Sequence, residues 1–282
     1  MSFYVTKASG EKELFDVRKF RRSLFKAGAT NKLIHEIVRE LKQRTDLRTT
    51  KEIYDFALDY LHQKDRPTAA RYNLKRALMD LGPAGYSFEQ FVAHIFKAQG
   101  YHIEQNKIIP GKCVDHEIDI VAQQDHKHYI IECKFHNRRG LKSDVKVVLY
   151  IKERFDDIAK AWNTDPKHGH KIHNAWIVTN TTFTSEALKY GKCVNLHMLD
   201  WKYPEKKSLP ILIDTLGVHP ITALTSLNTR QKRECIKAGF VLCRDARKYK
   251  DVLKKMNLSP YKIEKLISEA EAVCEMQKTD RD

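Results

Sequence analysis

Apolar positions recur along this chain with two different periods, and the period changes twice. The first stretch, "FYVTKASGEKELFD", sets apolar residues on both sides of a Ser-Gly turn, the pattern of a β-hairpin. Helical spacing follows. Asp16 stands as an N-cap before "VRKFRRSLFKAG", and Gly28 stands as its stop. Leu33, Ile34, Ile37, Val38 and Leu41 share one face of the next helix. Thr49 or Thr50 caps "KEIYDFALDYLHQK", and Pro67 opens a single further helix through "TAARYNLKRALMDL". Gly82, Pro83 and Gly85 then read as a linker.

From residue 86 the alternation changes. One helix, "SFEQFVAHIFKAQG", precedes three strand-like runs, "YHIEQNKII", "HEIDIVAQ" and "HYIIECKF". A helix over roughly 142–162 carries Val145, Val148, Leu149, Phe155, Ile158 and Trp162 on one side. The strand "NAWIVTN", the helix "TSEALKYGKC" and the short strand "VNLHMLD" complete the segment. That order predicts an α/β sandwich around a mixed sheet. Beyond residue 202 the pattern is helical throughout, in "TSLNTRQKRECIKAG", "RDARKYKDVLKKMN" and "SPYKIEKLISEAEAVCEM". The predicted fold class is therefore a multidomain α/β protein. Residues 1–84 form a mostly helical domain with a small hairpin, 85–202 the α/β core, and 203–282 a small helical domain.

Composition narrows the class. The 282 residues are 42% apolar and 31% charged, which fits a folded chain. No apolar run approaches the length of a membrane span, and the N-terminus has no h-region, so a cytoplasmic protein is expected. Six dispersed cysteines without a Cys-x-x-Cys pair read as reduced thiols. The net charge of +15 points to a polyanionic partner, nucleic acid first, with solubility alone as the plainer explanation.

The chemistry concentrates in the middle segment. In "EIDIVA", Asp119 shares a strand face with Glu117 and Val121; in "IIECKF", Glu132 and Lys134 share the other strand's face. The short connection "QQDHK" makes the two strands a hairpin and brings Asp119 beside Glu132. Two adjacent carboxylates resist ionising together. A hard divalent cation, Mg²⁺ or Mn²⁺, relieves that, with the Cys133 carbonyl as a further ligand. Lys134 is placed to orient or deprotonate a water, or to neutralise charge on a phosphorane-like transition state. The plain alternative is a surface ion pair between Glu132 and Lys134.

Residues 86–202 resemble the PD-(D/E)xK nuclease core, in its Mrr-type restriction endonuclease branch, through "EIDIVA…YIIECKFH", the "FE" helix before "GY", and "VTN…FTSEAL". The resemblance makes Asp119 and Glu132 metal ligands, Lys134 catalytic, and Glu89 a supporting acid from the first helix. Where many relatives have a Gly-rich turn, this chain has "CVDHE", so Asp115 or Glu117 is an extra or alternative ligand. His136 contacts the scissile phosphate or orients its neighbours. Arg138, Arg139 and Lys142 suit DNA phosphates or a solvated basic turn. "HGHKIH", with His168, His170 and His173, fits no zinc spacing and reads as a loop.

Residues 1–84 resemble the ATP-cone domain through the "V-x-K-x-x-G" hairpin, "TTKEIYDFALDYL" and "AARYNLKRAL". That resemblance implies ATP or dATP as an allosteric ligand, held at Val5, Lys7, Gly10, Lys19, Arg22, Thr50, Arg71 and Lys75. Many cones have an arginine after the hairpin lysine; here it is Ala8. No Walker A pattern is present. The C-terminal helices have a helix-turn-helix or helix-hairpin-helix flavour, with oligomerisation or packing as alternatives.

Together these readings imply a Mg²⁺-dependent DNA endonuclease under nucleotide control, acting as a homo-oligomer in restriction or antiphage defence. Two other readings share its features: a nucleotide-responsive DNA-binding regulator that does not cut, and a nuclease for RNA or branched DNA.

Overall fold

The computed structural model describes residues 3–7, 10–44, 46–82, 85–138, 140–166 and 172–275. The chain divides into two compact units, Met1–Asp80 with His219–Asp282, and Leu81–Val218.

The first unit opens with the expected hairpin, β1 (Tyr4–Thr6) against β2 (Lys12–Leu14), turning through Gly10 at φ +85°. Helices α1 (Val17–Lys26) and α2 (Asn31–Gln43) begin where Asp16 and Thr30 accept backbone N–H groups of the first turn. For α3 (Thr50–Lys64) the cap is Thr49, which forms a reciprocal box with Glu52; Thr50 is the first helical residue. The single helix expected after Pro67 is two, α4 (Arg66–Tyr72) and α5 (Leu74–Met79). Asn73 stands at the break, where its side chain accepts from the Tyr54 hydroxyl and donates to the Ala223 carbonyl. Val5, Leu24, Ile37, Leu41, Ala57 and Leu61 fill the core of this half.

In the second unit, α6 (Tyr86–Ala98) buries Phe88, Phe91, Val92, Ile95 and Phe96. The sheet follows with β3 (His102–Pro110), β4 (Asp115–Gln124) and β5 (Lys127–Lys134). A two-residue strand, β6 (Lys142–Ser143), precedes α7 (Val145–Trp162), so that helix starts three residues later than the expected start near 142, at the first residue of its apolar stripe. Asp144 caps it. Then come β7 (Ile172–Thr179), β8 (Thr182–Phe183), α8 (Ser185–Cys193), β9 (His197–Leu199) and α9 (Leu209–Leu216). The five-stranded order is β3-β4-β5-β7-β9, antiparallel through β5 and parallel beyond it, with β6 and β8 as a separate parallel pair.

Neighbouring positions of β7 show why the sheet is buried on both faces. Trp176 meets the Phe96 ring of α6 edge-on at 5.5 Å, while Ile177 joins Val148, Ile151 and Ile158 of α7. His173, from the histidine-rich stretch, packs its ring near Trp162 and His128 at 4.8 and 5.4 Å; His168 and His170 lie outside the described residues.

The last segment returns to the first unit with α10 (Thr229–Lys237), α11 (Lys250–Lys255) and α12 (Pro260–Cys274). Here Ala70 and Ala77 share one apolar cluster with Ile221, Phe240, Leu253, Leu266 and Ile267. The helix expected over "RDARKYKDVLKKMN" is shortened to α11, with a 3₁₀ turn at Cys243–Asp245 before it. All six cysteines are free. No helix among the described residues is long and apolar enough to cross a membrane.

Candidate active site

The hairpin β4–β5 pairs Val121 with Ile130 and Ile120 with Ile131. One step further along, the register sets Asp119 opposite Glu132, but the ladder stops there. Its place is taken by a side chain: the Asp119 carboxylate accepts the Cys133 backbone N–H at 2.7 Å. The carboxylate is thus fixed at the point where the two strands part. Alternation puts Glu132 and Lys134 on the face of β5 that looks toward α7.

Arg154 reaches this face from α7. Its guanidinium donates to Glu132 Oε2 at 2.9 Å and to the Glu117 carbonyl. The pair is mostly shielded, at 12% and 23% side-chain exposure for Arg154 and Glu132. The Tyr150 ring, one turn earlier, lies 5.4 Å from the guanidinium. Sequence reasoning missed Arg154. Its partner is 22 residues away on another element. The only available signal was its place one turn after Tyr150 on the helix that follows the acidic strand.

The electrostatics are those of gathered anions. Burial first, and Asp119 second, push the Glu132 carboxyl up to about 7. Burial first, then Asp119 and Glu117, push Glu89 of α6 up to about 7 as well. Asp119 is raised by burial, against the Cys133 N–H bond and the Arg154 charge, which favour its ionised form. Glu89 therefore belongs to the same electrostatic group as the strand carboxylates. Gly85 lies close beneath it: a Cβ there would stand 3.1 Å from Glu89 Oε1.

Lys134 is exposed and lines a cavity of about 310 Å³ with Gly85, Cys133, Phe135, His136, Asn137 and Leu141. His136 is held by its backbone, which exchanges two hydrogen bonds of 2.9 Å with the Asn180 amide, and its Nε2 is 3.0 Å from Ser143 Oγ. Burial, and then the Lys134 charge, lower its imidazole below the usual value. Arg138 and Lys142 are exposed; Arg139 lies outside the described residues. Of the alternative acids, Asp115 pairs with Pro110 four residues up β4, about 13 Å along the strand from Asp119. Glu117 is two residues away and adds repulsion to Glu89 and Asp119.

The donor set fits a hard divalent cation: carboxylates from two paired strands, mutually repelling and partly desolvated, with a main-chain carbonyl at Cys133 between Glu132 and Lys134. Among the described residues no group of three or more His, Cys, Asp or Glu is preassembled as a metal cage. An ion there would draw its remaining ligands from water and substrate, as Mg²⁺ commonly does.

The residues expected to hold a nucleotide lie in the other unit. Thr6 donates to the Arg48 carbonyl at 2.9 Å and bridges Thr49, so the hairpin and the start of α3 stand together, and with them Lys7 and Thr50. Lys7 pairs with Glu13 at 2.7 Å and Glu11 at 3.1 Å, bonds that raise its pKa. Val5 is buried in the apolar core. Lys19, Arg22 and Lys75 are exposed. Arg71 is directed elsewhere than sequence reasoning placed it: its guanidinium donates to the carbonyls of Ala272, Val273 and Glu275 at the end of α12.

Comparison with known proteins agrees with this division. Residues 83–202 match the family model described as restriction endonuclease, and residues 3–80 that of the ATP cone domain. The chain is thus an Mrr-type restriction-endonuclease-like protein with an N-terminal ATP cone. Residues 219–274 match the C-terminal domain model of AF1548-like proteins. An uncharacterized protein of Archaeoglobus fulgidus is 37% identical over 183 residues, covering 64% of this chain and 99% of its own length. The solved structure titled as a protein of unknown function, AF1548, superposes with a TM-score of 0.54 at 35% identity, over 68% of this chain and 98% of that one. The chain belongs to the AF1548-like family.

Proposed function

We propose that this protein is a divalent-metal-dependent DNA endonuclease whose cleavage is controlled by ATP or dATP at the cone. The observation that carries the reading is the pairing of β4 with β5, which sets the Asp119 and Glu132 carboxylates opposite each other with Lys134 on the same face. In this reading Asp119, locked by the Cys133 N–H, and Glu132 hold Mg²⁺ or Mn²⁺, and Glu89 supports them. The cation, when bound, supplies Lewis-acid polarisation of the scissile phosphate and its water. Lys134, on the cavity wall, orients that water and takes up its proton, or neutralises charge building on the phosphate oxygens. Neutral His136 and exposed Arg138 and Lys142 receive the flanking backbone, for which the net charge of +15 is suited. Cutting both strands takes two such sites, so an assembly of at least two copies is part of the proposal.

The test is plasmid cleavage in Mg²⁺ by wild type and Asp119→Ala, each without nucleotide, with ATP and with dATP. The expected result is cleavage by wild type, a rate change with nucleotide, and a loss of at least about a thousandfold in the variant. Binding of DNA that is indifferent to EDTA and to Asp119→Ala, with no cleavage, would make the protein a nucleotide-responsive DNA-binding regulator instead. Cleavage restricted to RNA or branched DNA in competition would move the substrate while keeping the site.

A further inference from the structure

Arg154 brings a full positive charge onto a carboxylate that the nuclease reading assigns to a metal. It is no loose surface pair. The guanidinium lies 2.9 Å from Glu132 Oε2 at 12% exposure, and its second amino group is tied to the Glu117 carbonyl, two residues before Asp119. The contact therefore joins the backbone of β4 to the side chain of β5 at the place where their ladder ends. A cation on Glu132 and the Arg154 guanidinium are like charges a few ångströms apart that compete for one carboxylate. The Tyr150 ring lies 5.4 Å from the guanidinium, and Tyr150 itself is 64% exposed, so the pair has solvent along one side.

We propose that Arg154 is a positioning residue that serves as the internal counter-ion of Glu132 and gives up that carboxylate to the divalent cation. This rests on the nuclease reading above. Without metal, the guanidinium neutralises Glu132 and holds it toward Asp119. With metal, the cation takes the carboxylate oxygen. The freed guanidinium keeps its hold on the Glu117 carbonyl and turns its other amino group outward, where its N–H groups suit a phosphate oxygen. The affinity of the site for metal is then set partly by a competitor built into α7.

The experiment measures Mn²⁺ binding to the full chain without DNA, by calorimetry and by electron paramagnetic resonance of the free ion, for wild type, Arg154→Gln, Arg154→Lys and Glu132→Gln. Arg154→Gln removes a competing charge a few ångströms from the ion, so its Mn²⁺ affinity should rise at least tenfold. Arg154→Lys keeps the charge and should stay within about threefold of wild type, and Glu132→Gln should bind at least tenfold more weakly. A purely structural role for Arg154 predicts the opposite: a disordered Glu132 and weaker binding in Arg154→Gln. Unchanged or weaker Mn²⁺ affinity in a folded Arg154→Gln overturns the inference. Should that variant not fold, the wild-type protein still decides. The arginine side-chain NMR signal absent from Arg154→Lys must shift on adding Mg²⁺, and a signal that stays in place overturns the proposal. Failure of the nuclease reading looks different: wild type would then bind no Mn²⁺ that Glu132→Gln abolishes, and this inference would fall with it.

Discussion

Two carboxyls poised near neutrality make the site sensitive to pH before any substrate arrives. Glu89 and Glu132 are both raised to about 7 in the folded chain, against an ordinary value of 4.5. The folded state therefore binds more protons than the unfolded one between those values, and stability falls as pH rises through that window. The contribution is full below about pH 4.5 and lost above about 7. Thermal melts of metal-free protein should show a lower melting temperature at pH 8 than at pH 5.5. Mg²⁺ or Mn²⁺ should recover it at pH 8, and Glu132→Gln should flatten the dependence. The same residues explain what the sequence could and could not show. Asp119, Glu132 and Lys134 were legible because strand alternation places them on faces, and a short turn fixes the pairing. Glu89 came only through family resemblance. Arg154 was hidden, because helical periodicity sorts apolar positions and says nothing of which polar one meets a strand across the core.

Helix starts were read well because their signals are local. Asp16 and Thr184 stand at their helices as caps, and Thr49 with Glu52 satisfies the first turn of α3 through bonds of 3.1 and 2.8 Å. Thr49→Ala should cost about 1 kcal/mol in urea unfolding, with Thr49→Ser nearly neutral. Elements whose limits come from distant partners were read poorly. The break at Asn73 depends on Tyr54 and on the Ala223 carbonyl, 150 residues away. The short strands β6 and β8 exist only because each has the other to pair with, and two residues carry no period of their own. The late start of α7 has the same origin: Ser143 is taken into β6 and leaves Asp144 as the cap.

At the scale of the whole chain, the first and last segments complete one unit. Arg71 shows how tightly. Its guanidinium satisfies three carbonyls at the end of α12, groups a helix terminus otherwise leaves without an intrahelical partner, and it adds a positive charge at the helix's negative end. Arg71→Ala should destabilise this unit by about 2 kcal/mol and speed limited proteolysis at the end of α12, whereas Lys19→Ala should change neither. A nucleotide-protection assay on the same variants would separate a structural Arg71 from a ligand-binding one. Nothing in composition announced this closure, since linkers mark where a segment ends and not which distant segment it meets.

That path sets an order of events during synthesis. Residues 3–72 carry a core of their own, but Ala70 and Ala77 belong to a second core whose other members begin at Ile221. Between them the ribosome must deliver the whole of Leu81–Val218, a unit that can fold as soon as it has emerged. The part of the chain with the clustered carboxylates is thus complete while the part with the cone still waits for its last helices. A chain arrested near residue 218 would carry a finished restriction-endonuclease fold attached to a cone that lacks nearly all of its second core.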